Sequence, residues 1–290
     1  MKILILGIDG MIGHKIAQRL SFSNEIFGTS RKEIDSKTIG AAIKSVFYVD
    51  FHEKKIFKNF NDINPDIIIN CVGITIRRGI DQNKDEIDYI NSKLPHEIYE
   101  WTLDKNKKLI HLSTDCVFDG EKGNYLDNDI PNAKDFYGLS KAKGELNNSN
   151  SLTIRCSVIG REIFNHTELL EWLLSNNNSS IKGFTNVIYS GITTCFLSEI
   201  INKIIINKIQ INGIYNISSE PISKYELLKM LIKAFSLNIE IKSDKNIISN
   251  KVLISKKFTE ITGIKKPSWH SLITELVIDS KKNSVLYKKY

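Results

Sequence analysis

Short apolar runs alternate along the first half of the chain with segments whose apolar residues recur every three or four positions. The first run covers residues 2–6, and helical spacing follows over residues 11–20. Further runs cover residues 25–29, 46–49, 66–70, 109–112 and 152–156. Continuous apolar runs of this length are typical of parallel strands buried on both faces. The repeated strand–helix units predict an α/β fold with a doubly wound parallel sheet of the Rossmann type.

The pattern changes after residue 160. Helical spacing covers residues 169–174 and 223–235, and a strand-like run covers residues 213–217 between them. We predict that residues 1–160 and about 186–218 form the Rossmann domain. Residues from about 161 to 185 and from 219 to 290 are predicted to form a smaller mixed α/β domain, which closes over the ligand-binding edge of the sheet.

The composition is that of an ordinary globular protein, with 41% hydrophobic and 25% charged residues. No apolar run reaches transmembrane length, so we expect no membrane partner. The four cysteines lie far apart and lack metal-ligand spacing. This cysteine usage predicts no metal site and a reducing, cytoplasmic location.

The net charge of +7 is concentrated in the last fifth of the chain, where residues 242–290 contain eleven lysines and four acidic residues. Nucleic-acid binding would require interleaved aromatic residues or a reading motif, and the segment has neither, so no nucleic-acid partner is expected. Two interpretations of the charge stay open. It forms a solvated basic surface, or it attracts an anionic substrate such as a nucleotide diphosphate.

A glycine motif follows the first predicted strand. Gly7, Gly10 and Gly13 enclose Met11 and Ile12 at a strand-to-helix turn. Glycines permit a tight turn and let backbone N–H groups approach a pyrophosphate at the positive end of the helix. The whole turn is therefore predicted to bind a dinucleotide.

The dinucleotide is predicted to be NADPH, because the second strand ends without the acidic residue that binds the ribose of NAD. Ser30 and Arg31 stand there instead, and they suit a 2′-phosphate. Asp50 is a candidate for the adenine edge. The segment after the fourth strand should let the backbone pass close to the cofactor. Its residues are Cys71, Val72 and Gly73.

A hydroxyl, a phenol and an amine form the candidate catalytic group. Thr114 ends the fifth strand, and Tyr137 and Lys141 lie one helical turn apart in the next predicted helix. Carbonyl reduction needs a proton on oxygen, which a tyrosine can supply. We expect the Lys141 ammonium to lower the pKa of Tyr137 from its ordinary value near 10.

The Tyr-x-x-x-Lys spacing alone is weak evidence, because it recurs in this chain. The other two matches are Tyr89 with Lys93 and Tyr225 with Lys229. Only Tyr137 follows a strand that ends in Ser-Thr and opens a helix between two sheet strands. We interpret the other two pairs as ordinary helix-surface contacts.

Together these motifs resemble the extended short-chain dehydrogenase/reductase superfamily. The matching residues are the three glycines, residues 70–73, Asn91, residues 113–120 (Ser-Thr-Asp-Cys-Val-Phe-Asp-Gly), Tyr137 and Lys141. The run at 113–120 resembles that of dTDP-4-dehydrorhamnose reductase and related sugar-nucleotide 4-ketoreductases. The resemblance implies NADPH-dependent reduction of a 4-keto-6-deoxy sugar on a nucleoside diphosphate, for surface polysaccharides. It implies catalytic roles for Thr114, Tyr137 and Lys141, cofactor contacts at Asn91, Tyr137 and Lys141, and a sugar contact at Asp115.

Two positions depart from the rhamnose enzymes, which usually have an aromatic residue after Ser-Thr-Asp and a tryptophan after the sixth strand. Cys116 and Val158 stand at these positions here. We therefore predict that Cys116 lines a different sugar pocket, in a related branch that serves surface-polysaccharide sugars.

Basic and aromatic residues outside the motifs complete the predictions. The candidates for the substrate diphosphate are Arg77, Arg78, Arg161 and Lys182. Arg155, inside the sixth strand, is predicted to be a structural anchor. Trp172 is expected to pack in the core of the smaller domain, and His14 and His96 are expected on helix surfaces.

Two other functions stay open. A 4,6-dehydratase or epimerase of the same superfamily would use the same fold, although dehydratases need an Asp-Glu pair where Asp115 is followed by Cys116. A non-catalytic NADP-binding regulatory subunit, such as the reductase-like partner of methionine adenosyltransferase, would keep the fold without turnover. The sequence does not determine which sugar and which nucleotide base the substrate carries, or the stereochemistry at C4. It also leaves open whether the protein is catalytically active and whether it forms a homodimer.

Overall fold

The computed structural model describes residues 1–51, 56–75 and 83–287. The strands of these residues are β1 (Lys2–Leu6), β2 (Glu25–Ser30), β3 (Ile43–Tyr48), β4 (Ile67–Asn70), β5 (Lys108–Ser113), β6 (Ser151–Arg155), β7 (Val158–Ile159), β8 (Ser179–Phe184), β9 (Val187–Tyr189), β10 (Ile192–Thr193), β11 (Gly213–Asn216), β12 (Ile222–Ser223), β13 (Ile239–Asp244) and β14 (Ser249–Lys251). The α-helices are α1 (Gly13–Leu20), α2 (Ile56–Ile63), α3 (Lys84–Asp88), α4 (Leu94–Asp104), α5 (Phe136–Lys143), α6 (Leu169–Ser175), α7 (Thr194–Ile206), α8 (Lys224–Ala234), α9 (Lys256–Thr262) and α10 (Trp269–Lys282). None of the helices within these ranges is long and apolar enough to cross a bilayer.

Seven strands form one parallel sheet in the order β3-β2-β1-β4-β5-β6-β11. The direction of winding reverses between β1 and β4, so a crevice opens at the carboxyl ends of these two strands. Open α/β sheets bind ligands at such a point. The predicted doubly wound Rossmann fold is confirmed.

The first strand is apolar throughout because both faces of the sheet are covered. Ile3 and Ile5 belong to a buried cluster with residues of α1 and α7. Leu4 and Leu6 belong to a second cluster with residues of α2 and α4. Successive side chains of a strand point to opposite faces, so a run without polar interruption requires a layer of helices on each side.

The second half of the chain adds smaller sheets, in the orders β12-β9-β14 and β13-β8, and its own core of α6, α8 and α10 side chains. β11 lies at the edge of the large sheet, whereas β9 pairs with β12 and β14. The predicted domain boundaries stay a prediction. The three-stranded sheet brings residues near positions 189 and 251 together, and this placement shapes the site described next.

Candidate active site

The turn after β1 has a shape that depends on glycine. Gly7 has a φ of +72°, in the left-handed region that glycine adopts without strain. A Cβ on Gly13 would lie 2.1 Å from the carbonyl oxygen of Gly7, so a larger residue would push the backbone apart. α1 therefore begins directly against the turn, at the crevice between β1 and β4. Its first N–H groups lack partners within the helix and can bind an anion.

A cavity lies beside this turn, and six of the predicted cofactor residues line it: Gly7, Gly10, Arg31, Cys71, Val72 and Gly73. The sequence did not predict the other lining residues, which are Asp9, Lys32, Phe51, Ile74, Ile90 and Asn165. The walls come from the ends of β1, β2 and β4, because the carboxyl ends of parallel strands meet at one edge of the sheet. Met11 and Ile12 lie in the turn itself and are partly buried.

The rim of the cavity after β2 carries two exposed basic residues. The Arg31 side chain is 54% exposed, and its guanidinium lies 3.6 Å from Glu86. Lys32 lies over the ring of Phe164. The buried Ser30 hydroxyl accepts a hydrogen bond from the Lys32 amide, so it shapes the loop that presents both cations. Asp50 is exposed after β3, and its adenine contact stays a prediction.

Lys141 adjoins this cavity, and Thr114 and Tyr137 are neighbours. The Thr114 hydroxyl follows β5 and favours the ionised form of the Tyr137 phenol, which acts to lower the pKa of Tyr137. Lys141 is buried one turn further along α5, and its ammonium donates to the carbonyl oxygen of Leu112 at 2.8 Å. That ammonium also lies 3.9 Å from the place where a Cβ on Gly73 would stand, so it adjoins the cavity wall.

The direction of the Tyr137 pKa differs from the expectation. Burial raises the pKa of Tyr137 above 10.0, and the negative charge of Asp115 and Glu168 raises it further. Burial also lowers the pKa of Lys141, to about 8. The expected net lowering of the Tyr137 pKa by Lys141 is therefore wrong, because desolvation of the phenolate exceeds the stabilisation that the Thr114 hydroxyl gives it. A protonated phenol is the form that can donate to a carbonyl oxygen.

Asn91 joins the loop after β4 to helix α5. It lies in a π-helical turn, Tyr89–Lys93, between α3 and α4. Its buried amide group accepts from the Ile74 N–H at 2.9 Å and donates to the Ile74 carbonyl and to the Ser140 hydroxyl, both at 3.0 Å. Asn91 thus supports the cavity wall from behind, and its direct contact with a cofactor stays a prediction.

Asp115 faces two lysines that no sequence pattern marks. Burial raises the pKa of the Asp115 carboxyl, and the ammonium groups of Lys224 and Lys251 counteract this shift. Lys224 begins α8 and Lys251 ends β14. The Cys116 amide donates to the Thr114 hydroxyl, and burial raises the pKa of the Cys116 thiol to about 12. Cys116 is therefore a neutral thiol at pH 7, as a passive wall residue would be.

The family model for the RmlD substrate binding domain matches residues 1–281 of the chain. The chain belongs to this family. It is 27% identical over 234 residues to a dTDP-4-dehydrorhamnose reductase of Aggregatibacter actinomycetemcomitans, covering 76% of this chain and 74% of the relative. It is 26% identical over 292 residues to the spore coat polysaccharide biosynthesis protein SpsK of Bacillus subtilis strain 168, covering 94% and 96%.

The fold of this RmlD family member is also similar to a solved structure, the dTDP-4-dehydrorhamnose reductase of Bacillus anthracis strain Ames in complex with NADP. The TM-score is 0.79 at 21% identity, covering 96% of this chain and 99% of the other. At 21% identity, this structural similarity shows that the two proteins share a fold. The predicted membership of the extended reductase superfamily is confirmed by the family match.

The predicted diphosphate contacts of this family member lie in ion pairs within the protein. Arg161 is buried, and its guanidinium lies 2.6 Å from the Glu171 carboxylate. Lys182, on β8, is 74% exposed and lies 3.6 Å from Asp244. Both residues stay predictions as substrate contacts, and these ion pairs favour structural roles. Arg77 and Arg78 lie outside the described residues.

Two ring side chains are placed differently from expectation. Trp172 is exposed on α6, so its predicted burial is wrong. His14 was expected on a helix surface like the exposed His96, but it is fully buried. Its Nδ1 donates to the Gly10 carbonyl at 2.8 Å, and its Nε2 accepts from the Tyr287 hydroxyl at 3.0 Å. Burial lowers the pKa of His14 to about 3, so the ring is neutral.

Tyr287 connects two walls of the cavity. Its hydroxyl donates a hydrogen bond to His14, and His14 in turn donates one to the Gly10 carbonyl of the glycine turn. The Arg161 guanidinium lies 4.8 Å from the Tyr287 ring centroid, and Arg161 leads into the segment that carries the lining residue Asn165. Tyr287 therefore holds two parts of the cavity wall in place, although it does not line the cavity itself.

Replacing Tyr287 with phenylalanine should weaken NADPH binding several-fold. The substitution leaves the buried His14 Nε2 without its donor, and an unpaired buried polar group costs about 1–3 kcal/mol. Fluorescence titration with NADPH measures the effect, and the turnover at saturating NADPH should be retained. Tyr225→Phe on α8 is a matched control. An unchanged Kd for NADPH in Tyr287→Phe would remove Tyr287 from this role.

Proposed function

We propose that the chain reduces the 4-keto group of a nucleoside-diphosphate-linked 6-deoxy sugar with NADPH, in the biosynthesis of surface polysaccharides. The observation that carries the proposal is the position of Lys141 beside the cavity at the glycine turn, one helical turn from Tyr137, which neighbours Thr114. The relatives named above support the same reaction class, since one is a sugar-nucleotide reductase and another a polysaccharide biosynthesis protein.

The residues of the cavity fit NADPH. Gly7 adopts a left-handed turn and Gly13 lets α1 begin directly against it, so the helix start lies at the crevice where a pyrophosphate can approach the backbone. Arg31 and Lys32 supply cations for a 2′-phosphate, and the Bacillus anthracis relative is in complex with NADP. When bound, the cofactor would supply the hydride that adds to the carbonyl carbon.

The side chains of this protein would supply the rest of the reaction. The Thr114 hydroxyl would hold the sugar carbonyl against Tyr137. The protonated phenol would donate its proton to the carbonyl oxygen, giving an alcohol, and Lys141 would return a proton to the phenolate. Asp115 would accept hydrogen bonds from sugar hydroxyls.

Mixing the protein with NADPH and a panel of 4-keto nucleotide sugars tests the proposal. Loss of absorbance at the reduced-nicotinamide band, in proportion to the alcohol formed, is expected. An epimerase or a dehydratase would convert substrate without net NADPH consumption. A regulatory subunit would bind NADPH and convert nothing. Either outcome across the panel would replace the reductase proposal.

The rate of reduction should fall as the pH rises above about 8. Burial lowers the pKa of Lys141 from 10.5 to about 8, with Glu145, Cys156 and Cys71 acting in the opposite direction. The ammonium is present below this pH and lost above it, so proton return to Tyr137 would slow. Profiles of kcat/KM against pH at saturating NADPH measure this. In a Lys141→Arg variant the guanidinium stays protonated over this pH range. If kcat/KM of this variant falls with pH as in the wild type, the decline does not come from Lys141.

A further inference from the structure

A group of polar side chains near Asp115 comes from the three-stranded sheet β12-β9-β14 and from the start of α8. Tyr189 on β9 and Lys251 on β14 are partners in parallel register, so their side chains lie on the same face of the sheet. The Lys224 ammonium lies 3.6 Å from the centroid of the Tyr189 ring. Both lysines act electrostatically on Asp115, and Asp115 acts on Tyr189. We call Tyr189, Lys224 and Lys251 the Tyr189 pocket.

The Tyr189 hydroxyl has no hydrogen-bond partner among the described residues, although the side chain is only 2% exposed. A buried hydroxyl without a partner costs about 1–3 kcal/mol, so such groups require an explanation. The ring packs against Trp269, at 5.7 Å between centroids, and against the Gly191 backbone. These contacts hold the hydroxyl in place, where it can donate to a ligand.

Lys224 stands where helix electrostatics disfavour a cation. It is the first residue of α8, directly after the Ser223 N-cap, and the amino end of a helix carries partial positive charge. Lys251 adds a second cation that faces the same carboxylate. Glu226 in the same turn and Asp115 offset part of this positive charge, and a bound negative group would offset more of it.

We propose that the Tyr189 pocket binds the phosphate next to the sugar in a nucleoside-diphosphate substrate. A phenol and two ammonium groups offer hydrogen-bond donors and positive charge, which suit an oxyanion. The neighbouring Asp115 offers only acceptors, which suit sugar hydroxyls. In a nucleotide sugar the two groups are joined, so a phosphate in the pocket directs the sugar past Asp115 toward Tyr137. The inference rests on the proposed function and names the residues that recognise its substrate.

The test measures binding of dTDP, UDP, GDP and CDP to the full-length chain by calorimetry. Tyr189→Phe removes a single hydroxyl, and we expect it to weaken binding of the preferred diphosphate about 10–100-fold, as for one hydrogen bond to a charged group. Lys251→Met should weaken it about tenfold or more, and salt should weaken wild-type binding. Binding of the matching free nucleoside should not change. Lys242→Met, an exposed lysine on β13, is the matched control.

Each outcome decides the assignment. Unchanged diphosphate binding in both variants, or no wild-type binding to any of the four diphosphates, would overturn it. The same titrations with Lys182→Met and with UDP-glucuronate, a nucleotide sugar that carries a carboxylate, give two further tests. Weaker diphosphate binding in Lys182→Met but not in Lys251→Met would overturn the assignment. It would also be overturned if the Tyr189 and Lys251 variants weakened binding of UDP-glucuronate alone. Because binding requires no turnover, a chain that binds diphosphates here but reduces nothing would support the pocket and refute the reductase. If the protein reduces 4-keto nucleotide sugars but these substitutions leave diphosphate binding unchanged, the reductase function is supported and the pocket is refuted.

Discussion

Turnover of a 4-keto nucleotide sugar should fall by about 10²–10⁴ when Tyr137 is replaced with phenylalanine, because the proton donor to the carbonyl oxygen is lost. Phenylalanine keeps the ring and its packing, so most of the NADPH affinity should remain. Burial raises the pKa of Tyr137, so the phenol is fully protonated at neutral pH and the substitution removes a proton that is present. Steady-state rates and an NADPH titration measure the two effects separately.

The chain supplies its own control for this prediction. Tyr225 and Lys229 have the same spacing on α8, where the Lys229 ammonium lies 5.2 Å from the Tyr225 ring centroid. Tyr225→Phe should therefore leave turnover unchanged. Equal turnover in Tyr137→Phe and wild type would end the catalytic assignment. An equal loss in both variants would show that the effect comes from the fold.

Replacing Glu145 with alanine should destabilise the protein by about 3–5 kcal/mol, because it leaves the buried Arg155 guanidinium without its hydrogen-bonded carboxylate partner. Glu145 and Arg155 form two parallel hydrogen bonds of 2.7 Å, and their side chains are 4% and 2% exposed. Glu145 also accepts from the Ser113 hydroxyl at the end of β5. Urea denaturation followed by circular dichroism measures the change in the free energy of unfolding.

The double variant Glu145→Ala/Arg155→Met distinguishes a lost attraction from an unpaired charge. Methionine can fill much of the space of the Arg155 stem beside Phe118 without a charge. We expect the double variant to recover a large part of the stability lost in Glu145→Ala. A single-variant loss below about 1 kcal/mol would mean that water reaches the guanidinium and that the pair behaves like a surface pair.

The glycine turn and the catalytic group could be predicted from the sequence because their signals are local. Gly7, Gly10 and Gly13 lie within seven residues, and Tyr137 and Lys141 lie within one helical turn. A parallel sheet then brings the residue after each strand to one edge, so Thr114 and the turn meet without further information. The structure places Gly7 and Gly10 in the cavity wall and Lys141 beside it, and the roles of the catalytic group stay predictions.

The Tyr189 pocket could not be predicted in this way. β9 and β14 are three-residue strands, too short for a hydrophobic period, and only their pairing brings Lys251 beside Tyr189. The burial of His14 likewise depends on a residue far away in the chain. The direction of the Tyr137 pKa depends on the degree of burial, which the Tyr-x-x-x-Lys spacing does not contain.

The hydrogen bond between Tyr287 and His14 joins residues 273 positions apart. On a ribosome that adds 5–20 residues per second, the first strand–helix unit therefore waits on the order of tens of seconds for this partner. During synthesis the His14 ring either stays hydrated or is buried with Nε2 unpaired. The nucleotide cradle is made long before residue 287, yet it reaches its final packing only when residue 287 has emerged. Stalled or prematurely terminated chains would thus contain Gly7, Gly10 and Gly13 but lack the hydrogen bond from Tyr287 that fixes His14 against the glycine turn.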